Sequence, residues 1–164
     1  MRGRFADVVA AVRTFPDLRS WLRCGAELLW AVPGLLLVAH FGDLVRMSSP
    51  VEANEFAGLA ASLFVAPALG EELLFRAALI PRQHPRWPWL ALSVALFVLW
   101  HPLQAVTFGP PWAGAFQDPW FLAAVAILGL ALARMYAASR SIWPSVVAHW
   151  LVVLVWKAFL GGPF

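Results

Sequence analysis

The sequence predicts an all-α polytopic membrane protein, one helix bundle of about five transmembrane helices with its N-terminus in the cytoplasm. Composition is the first observation, because 62% of the 164 residues are hydrophobic and only 13% are charged. Soluble domains carry about 25% charged residues. Spacing is the second, because five apolar runs are close to the length of about 17–25 residues with which a helix spans a bilayer. The uneven distribution of basic residues is the third.

The predicted elements follow from changes between polar and apolar composition. The polar, Arg-rich residues 1–23 predict a cytoplasmic or interfacial arm, and residues 24–164 predict a single transmembrane domain. A chain of this length leaves no room for a large extramembrane domain. The fourth apolar run is slightly short and is expected to extend to residue 138. The five runs occupy residues 26–44, 55–79, 88–108, 120–135 and 142–160.

The basic residues indicate how the chain is oriented and what it contacts. Ten of the 12 Lys and Arg residues lie on the side of the bundle that carries the N-terminus, and Arg46 and Lys157 lie on the other. Positive-inside bias therefore places the N-terminus in the cytoplasm. Because the basic residues flank apolar runs, we expect contact with the lipid bilayer and not with nucleic acid. Arg-over-Lys and Ala-rich usage is typical of a GC-rich bacterial genome, so we expect a multi-pass protein of the bacterial inner membrane.

Ionisable residues inside the apolar runs are the candidates for chemistry, because a charge there is costly unless it finds a partner, the bundle interior or water. Glu72 and Arg76 are four residues apart, so they share a helix face and can pair. Glu71 lies about 100° round the helix from Glu72 and lacks a local partner, which makes it a candidate general base. The alternative is a structural salt-bridge cluster of both acids with Arg76.

Two histidines are predicted to lie at a depth similar to that of Glu71. Counted from the cytoplasmic ends of their helices at 1.5 Å per residue, Glu71, His101 and His149 lie about 16, 20 and 12 Å deep. One carboxylate and two imidazoles at this depth would form a polar pocket able to hold water, which suits hydrolysis. Each histidine taken alone could equally be a satisfied core residue. Pro67 is predicted to kink its helix just before Glu71.

These residues belong to three ordered motifs on three separate predicted helices. The motifs are Glu71-Glu72-x-x-x-Arg76, Phe97-x-x-x-His101, and Ser141-Ile142-Trp143-Pro144 leading to His149. In this order and spacing they resemble the motifs of the type II CAAX protease and bacteriocin-processing (CPBP) family. The resemblance implies an intramembrane endopeptidase that hydrolyses a peptide bond of a membrane-associated protein, with a catalytic core at about residues 54–160.

The resemblance also implies a role for each residue and no cofactor. Glu71 would activate the water with assistance from His101, and His149 would help to stabilise the oxyanion. Glu72 and Arg76 would hold the site together. One position departs from the family pattern: four residues after the last histidine the family usually has Asn or Asp, and this chain has Val153.

Three other functions remain open from the sequence. Zinc could be bound by Glu71, His101 and His149, with a fourth position for water, giving a metalloprotease that uses the same residues. A catalytically inactive binding or scaffold protein of the same fold is favoured by Val153. A small proton-coupled transporter is disfavoured by the single acid-rich site and the lack of internal repeats. As a protease, the chain would have a membrane protein or peptide as its partner.

Overall fold

Helices form every regular element of residues 2–46 and 51–162, the part of the chain that this computed structural model describes. A short 3₁₀ segment, Ala113–Gln117, lies in the loop between Thr107 and Pro119. The helices are α1 (Arg2–Arg13), α2 (Leu18–Phe41), α3 (Ala53–Ala78), α4 (Trp87–Thr107), α5 (Pro119–Ser139) and α6 (Trp143–Phe159). This arrangement confirms the predicted all-α polytopic bundle.

Four helices of the described chain, α2 to α5, are long and apolar enough to cross a membrane. The fifth predicted span is α6, which is apolar but shorter, at 17 residues. At 1.5 Å per residue it measures about 25 Å, slightly less than the hydrocarbon core. The prediction of about five transmembrane helices therefore corresponds to four full spans and one shorter apolar helix.

Helix α5 is the centre of the bundle and packs against α2, α4 and α6. Half of its most apolar stretch is buried inside the protein, against 11% of the corresponding stretch of α2. Helix α5 extends to Ser139, as expected for the short fourth run. The remaining apolar surface of α2 is the surface expected to face lipid.

The first spanning helix begins earlier than its apolar run predicts. It starts at Leu18, inside the stretch predicted as the arm, because the Asp17 carboxylate caps it by accepting a hydrogen bond from the Ser20 backbone N–H at 2.9 Å. A turn at Ala26 and Glu27 separates its first part from the apolar remainder. Because the first part of this helix is polar, the apolar run did not indicate where the helix starts.

Helix α1 packs onto the adjacent ends of α3, α5 and α6. The Trp143 indole donates to the Val12 carbonyl at 2.8 Å, and the Ser141 hydroxyl donates to the Thr14 carbonyl at 2.6 Å. Arg4 donates to the Leu79 carbonyl at the end of α3, at 3.1 Å. The N-terminal segment therefore holds one end of the bundle together.

Helix α3 is irregular where it carries the two acids. Two π-helical segments, Phe64–Leu69 and Leu73–Ala78, flank the single turn Gly70–Glu72. Ala66 leaves the helical region, with φ −137° and ψ 112°, directly before Pro67. The predicted kink before Glu71 is thereby confirmed. Irregular turns of this kind are frequent at functional sites.

Candidate active site

Glu72 and Arg76 form a fully buried ion pair at the centre of the bundle. Their Oε2 and Nε atoms are 3.3 Å apart, and neither side chain is exposed. Arg76 also donates from Nη2 to the Gly129 carbonyl on α5, at 3.3 Å. The pairing predicted from the four-residue spacing is therefore confirmed, and the arginine ties α3 to α5.

Phe97 occupies the space between this ion pair and the histidines. The Arg76 guanidinium lies over its ring, 4.4 Å from the centroid. The rings of His101 and His149 meet the same ring edge-on, at 5.1 and 5.8 Å between centroids. Gly129 makes room for Phe97, because a Cβ atom at this glycine would lie 2.9 Å from the ring. The phenylalanine of the second motif thus packs against residues of the other two.

His149 is held by the same carboxylate that neutralises Arg76. Its Nδ1 lies 3.1 Å from Oε1 of Glu72. Because Glu72 is paired with Arg76 and a carboxylate only accepts, Nδ1 is assigned as the donor. The other ring nitrogen, Nε2, faces Oε2 of Glu71 at 3.9 Å. Glu72 therefore orients the imidazole so that one nitrogen remains for chemistry.

Glu71 takes its partners from other helices. Its Oε1 accepts a hydrogen bond from the Trp100 indole on α4, at 3.2 Å. Its Oε2 is buried and has no hydrogen-bond partner among residues 2–46 and 51–162. The prediction that Glu71 lacks a partner within its own helix agrees with these contacts. In the described structure Arg76 pairs with Glu72 and not with Glu71, which disfavours a structural cluster of both acids.

His101 lies in an aromatic cage. Its Nδ1 is 2.9 Å from the Phe97 carbonyl, which only accepts, so Nδ1 is the donor and Nε2 remains as the second ring nitrogen. The rings of Phe116 and Phe121 complete the cage at 5.2 and 5.5 Å. Only 7% of the residue is exposed. Both histidines of the site are thus fixed through Nδ1.

The three predicted site residues line one cavity of about 460 Å³. Glu71, His101 and His149 lie on the walls of this active-site cavity, and Val153 faces it without any polar atom. Polar and aromatic side chains also line it, among them Trp100, Gln104, Trp112 and Lys157. An almost wholly apolar second cavity of about 360 Å³ between α2, α5 and α6 shares the two histidines as walls.

The arrangement does not provide a preformed metal centre. In the part of the chain that the structure describes, no three His, Cys, Asp or Glu side chains are placed to hold one metal ion. Both histidines use Nδ1 for hydrogen bonds within the protein. Nε2 of each histidine is left, as in most metal-bound histidines, so the zinc alternative would need these nitrogens and Glu71 to move closer together.

Trp100 and Gly129 are two residues of the site that the sequence did not single out. Trp100 precedes His101 and contacts Glu71 across two helices, a pairing that depends on how α4 is rotated against α3. Gly129 matters only because Phe97 packs against it. Its position in an apolar helix was the one available signal, because glycine is favoured where helices approach closely in membranes.

The fold and the cavity define a polytopic helical membrane protein whose buried glutamates and histidines are collected at one internal site. Residues 53–155 match the family described as Type II CAAX prenyl endopeptidase Rce1-like, and the chain belongs to this family. It is therefore related to membrane endopeptidases, as the motifs predicted. The match contains all three motifs up to His149 and includes Val153.

A second comparison supports the membrane location. The chain is 35% identical over 91 residues to a UPF0060 membrane protein of Pseudomonas paraeruginosa, a match that covers 55% of this chain and 75% of that protein. No solved structure matches the chain. Together with the apolar helices, this relative supports a multi-pass membrane protein.

Proposed function

We propose that the protein is an intramembrane endopeptidase in which Glu71 activates a water molecule to hydrolyse a peptide bond of a membrane-associated protein. The gap between Glu71 Oε2 and His149 Nε2 carries this proposal. At 3.9 Å it is too long for a direct hydrogen bond. A water beside Oε2 would give this oxygen a hydrogen-bond donor. A general base must lie within hydrogen-bond distance of the proton that it takes, and a water in this position would meet that condition.

Glu71 would take a proton from this water while the water oxygen attacks the carbonyl carbon of the scissile bond. The C–N bond of the resulting tetrahedral intermediate then breaks, and Glu71 returns the proton to the leaving amine. His149, when protonated on Nε2, would donate to the oxyanion. Glu72 keeps the His149 ring in place through the 3.1 Å contact to Nδ1. His101 would assist the water from the opposite wall through Nε2.

With Val153 at this position, one hydrogen-bond donor of the family pattern is missing. The side chain of Gln104 can supply a donor in its place. Gln104 follows His101 by one helical turn on α4 and lines the active-site cavity. Its amide can donate to an oxyanion, which Val153 cannot do. The inactive-scaffold alternative is therefore less favoured than hydrolysis.

The remaining organisation is part of the same proposal. Residues 1–23 would lie at the cytoplasmic face, and residues 24–164 would form the membrane domain, with its catalytic core at about residues 54–160. The location would be the bacterial inner membrane with the N-terminus in the cytoplasm. The substrate would be a membrane protein or peptide, and no cofactor would be needed.

Hydrolysis can be tested with a mixture of candidate substrates in place of a single defined one. The purified protein is reconstituted into vesicles with a bacterial membrane-protein extract, and new peptide termini are identified by mass spectrometry. We expect termini that appear with the unsubstituted protein and are absent with Glu71→Gln. Identical sets of termini from both proteins, with each shown to be folded, would refute hydrolysis by Glu71.

A further inference from the structure

We propose that Trp100 is a positioning residue that reserves one oxygen of Glu71 for the water. This inference rests on the proposed function and adds a residue to it. The observation behind it is the hydrogen bond from the Trp100 indole N–H to Oε1 of Glu71, 3.2 Å long, between α4 and α3.

The indole ring packs against two other aromatic rings. Its ring lies 6.1 Å from that of Phe75 on α3 and 5.6 Å from that of Phe108 at the end of α4. The backbone of Trp100 is set by the regular helix that also carries His101. The N–H group therefore points at Glu71 from a rigid support.

The hydrogen bond makes the two carboxylate oxygens of Glu71 unequal. The terminal torsion of a glutamate is broad, so a carboxylate without a fixed donor would take up a wide range of orientations in the cavity. With Oε1 bound to Trp100, Oε2 faces Nε2 of His149 at 3.9 Å. A water beside this gap could then contact both Oε2 and Nε2 of His149.

Trp150 provides a matched control. Each of these tryptophans directly follows or precedes a site histidine, and each donates across the bundle to α3. The Trp150 indole binds the Ala60 carbonyl at 2.8 Å and its ring packs against Phe64 at 5.9 Å. Trp150 does not line the active-site cavity. Both tryptophan-to-phenylalanine variants lose one inter-helix hydrogen bond, but only Trp100→Phe releases Glu71.

The experiment measures steady-state kinetics with a synthetic peptide that spans the most strongly cleaved site found with the membrane-protein extract. We expect Trp100→Phe to lower kcat by about ten- to a hundredfold, the rate equivalent of one hydrogen bond to a charged group. KM should change by less than about twofold, since uniform binding is not lost. Trp150→Phe should leave kcat within about twofold of the unsubstituted protein.

A second variant tests the hydrogen bond without changing the packing of the ring, so that a folding defect does not obscure the result. Benzothienylalanine incorporated at position 100 replaces the N–H group by sulfur and keeps the shape of the ring, so it should lower kcat as Trp100→Phe does. If Glu71→Gln is inactive and the benzothienylalanine protein keeps its kcat, the positioning role of Trp100 is refuted alone. If Glu71→Gln cleaves as fast as the unsubstituted protein, both the proposed function and this inference are refuted.

Discussion

The two adjacent acids of the site, Glu71 and Glu72, have different surroundings. Glu72 is fully buried between Arg76 and His149. The Glu71 side chain is 13% exposed, lines the active-site cavity and has one oxygen without a partner in the described part of the chain. One carboxylate is therefore enclosed by charged partners, and the other borders the cavity.

Substitution by glutamine should separate these two tasks. We expect Glu72→Gln to destabilise the folded protein by roughly 3–5 kcal/mol, because Arg76 is left buried without its counter-charge. Glu71→Gln keeps the shape of the side chain and should abolish proteolysis with little loss of stability. Thermal unfolding in detergent measures the first effect, and peptide cleavage measures the second. Equal losses of stability in both variants would show that Glu71 is structural as well.

A substitution at Val153 tests whether an added donor can increase activity. Val153→Asn places an amide on the cavity wall one turn after His149, where the family usually has Asn or Asp. Because an oxyanion donor contributes about 10²–10³ in rate at other sites, we expect unchanged or increased kcat. Val153→Leu, which adds bulk without a donor, is the control. A large loss of kcat in a folded Val153→Asn protein would mean that the oxyanion is not stabilised near this position.

At the scale of elements, the sequence predicted where the helices lie in the chain. It did not predict how each helix is rotated about its axis relative to its neighbours. The five apolar runs locate the spans, and the four-residue spacing of Glu72 and Arg76 predicts their pair because helix geometry fixes it. The break in α3 was predictable at Pro67, but the two π-helical segments were not. The contact between Trp100 and Glu71 depends on how two helices pack, which periodicity does not determine.

Close packing of α4 against α5 gives the third test. In Gly129→Ala the new Cβ would lie 2.9 Å from the Phe97 ring, so this ring, which contacts Arg76 and both histidines, must shift. We expect a destabilisation of about 1–3 kcal/mol, as for other overpacked cores, and a lower kcat. Gly34→Ala is the matched control in α2, because its Cβ would meet Ile127 at an ordinary 3.5 Å.

Unfolding in detergent and peptide cleavage are measured for both glycine variants. Gly34→Ala should keep the stability and kcat of the unsubstituted protein, apart from the small gain in helix propensity from glycine to alanine. If Gly129→Ala behaves in the same way, Phe97 does not need its present position.

At the scale of the whole molecule, the site unites distant parts of the chain. Glu71 and Glu72 come from α3, His101 and Trp100 from α4, and His149 from α6. Helix α5 contributes the Gly129 carbonyl that holds Arg76. The order and depth of the three motifs predicted this convergence, since each lies inside a separate span. The aromatic cage of His101 could not be predicted, because Phe116 and Phe121 come from a loop segment and the start of α5.

Whether Glu71 alone or a bound zinc ion would activate the water depends on side chains from three different helices. A metal would polarise the scissile carbonyl itself, so a missing donor at Val153 would matter less. In the described structure Nδ1 of each histidine is bound, to Phe97 and to Glu72, and Nε2 is left for either a hydrogen bond or a metal. Catalytic zinc requires three protein ligands around one point, and Glu71, His101 and His149 are not grouped in this way among the described residues. A zinc site would thus need these three side chains to move together, whereas the proposed glutamate mechanism uses them where they lie.

We expect the purified protein to contain less than about one tenth of a zinc ion per chain and to keep its kcat after prolonged chelation, because a glutamate site needs no metal to activate water. Elemental analysis and cleavage of the synthetic peptide provide these two measurements. Zinc added back to the chelated protein should not raise kcat. One zinc per chain, with activity lost on chelation and regained with zinc, would overturn the glutamate mechanism. Loss of that zinc in Glu71→Gln, His101→Ala and His149→Ala would then identify the same three residues as its ligands.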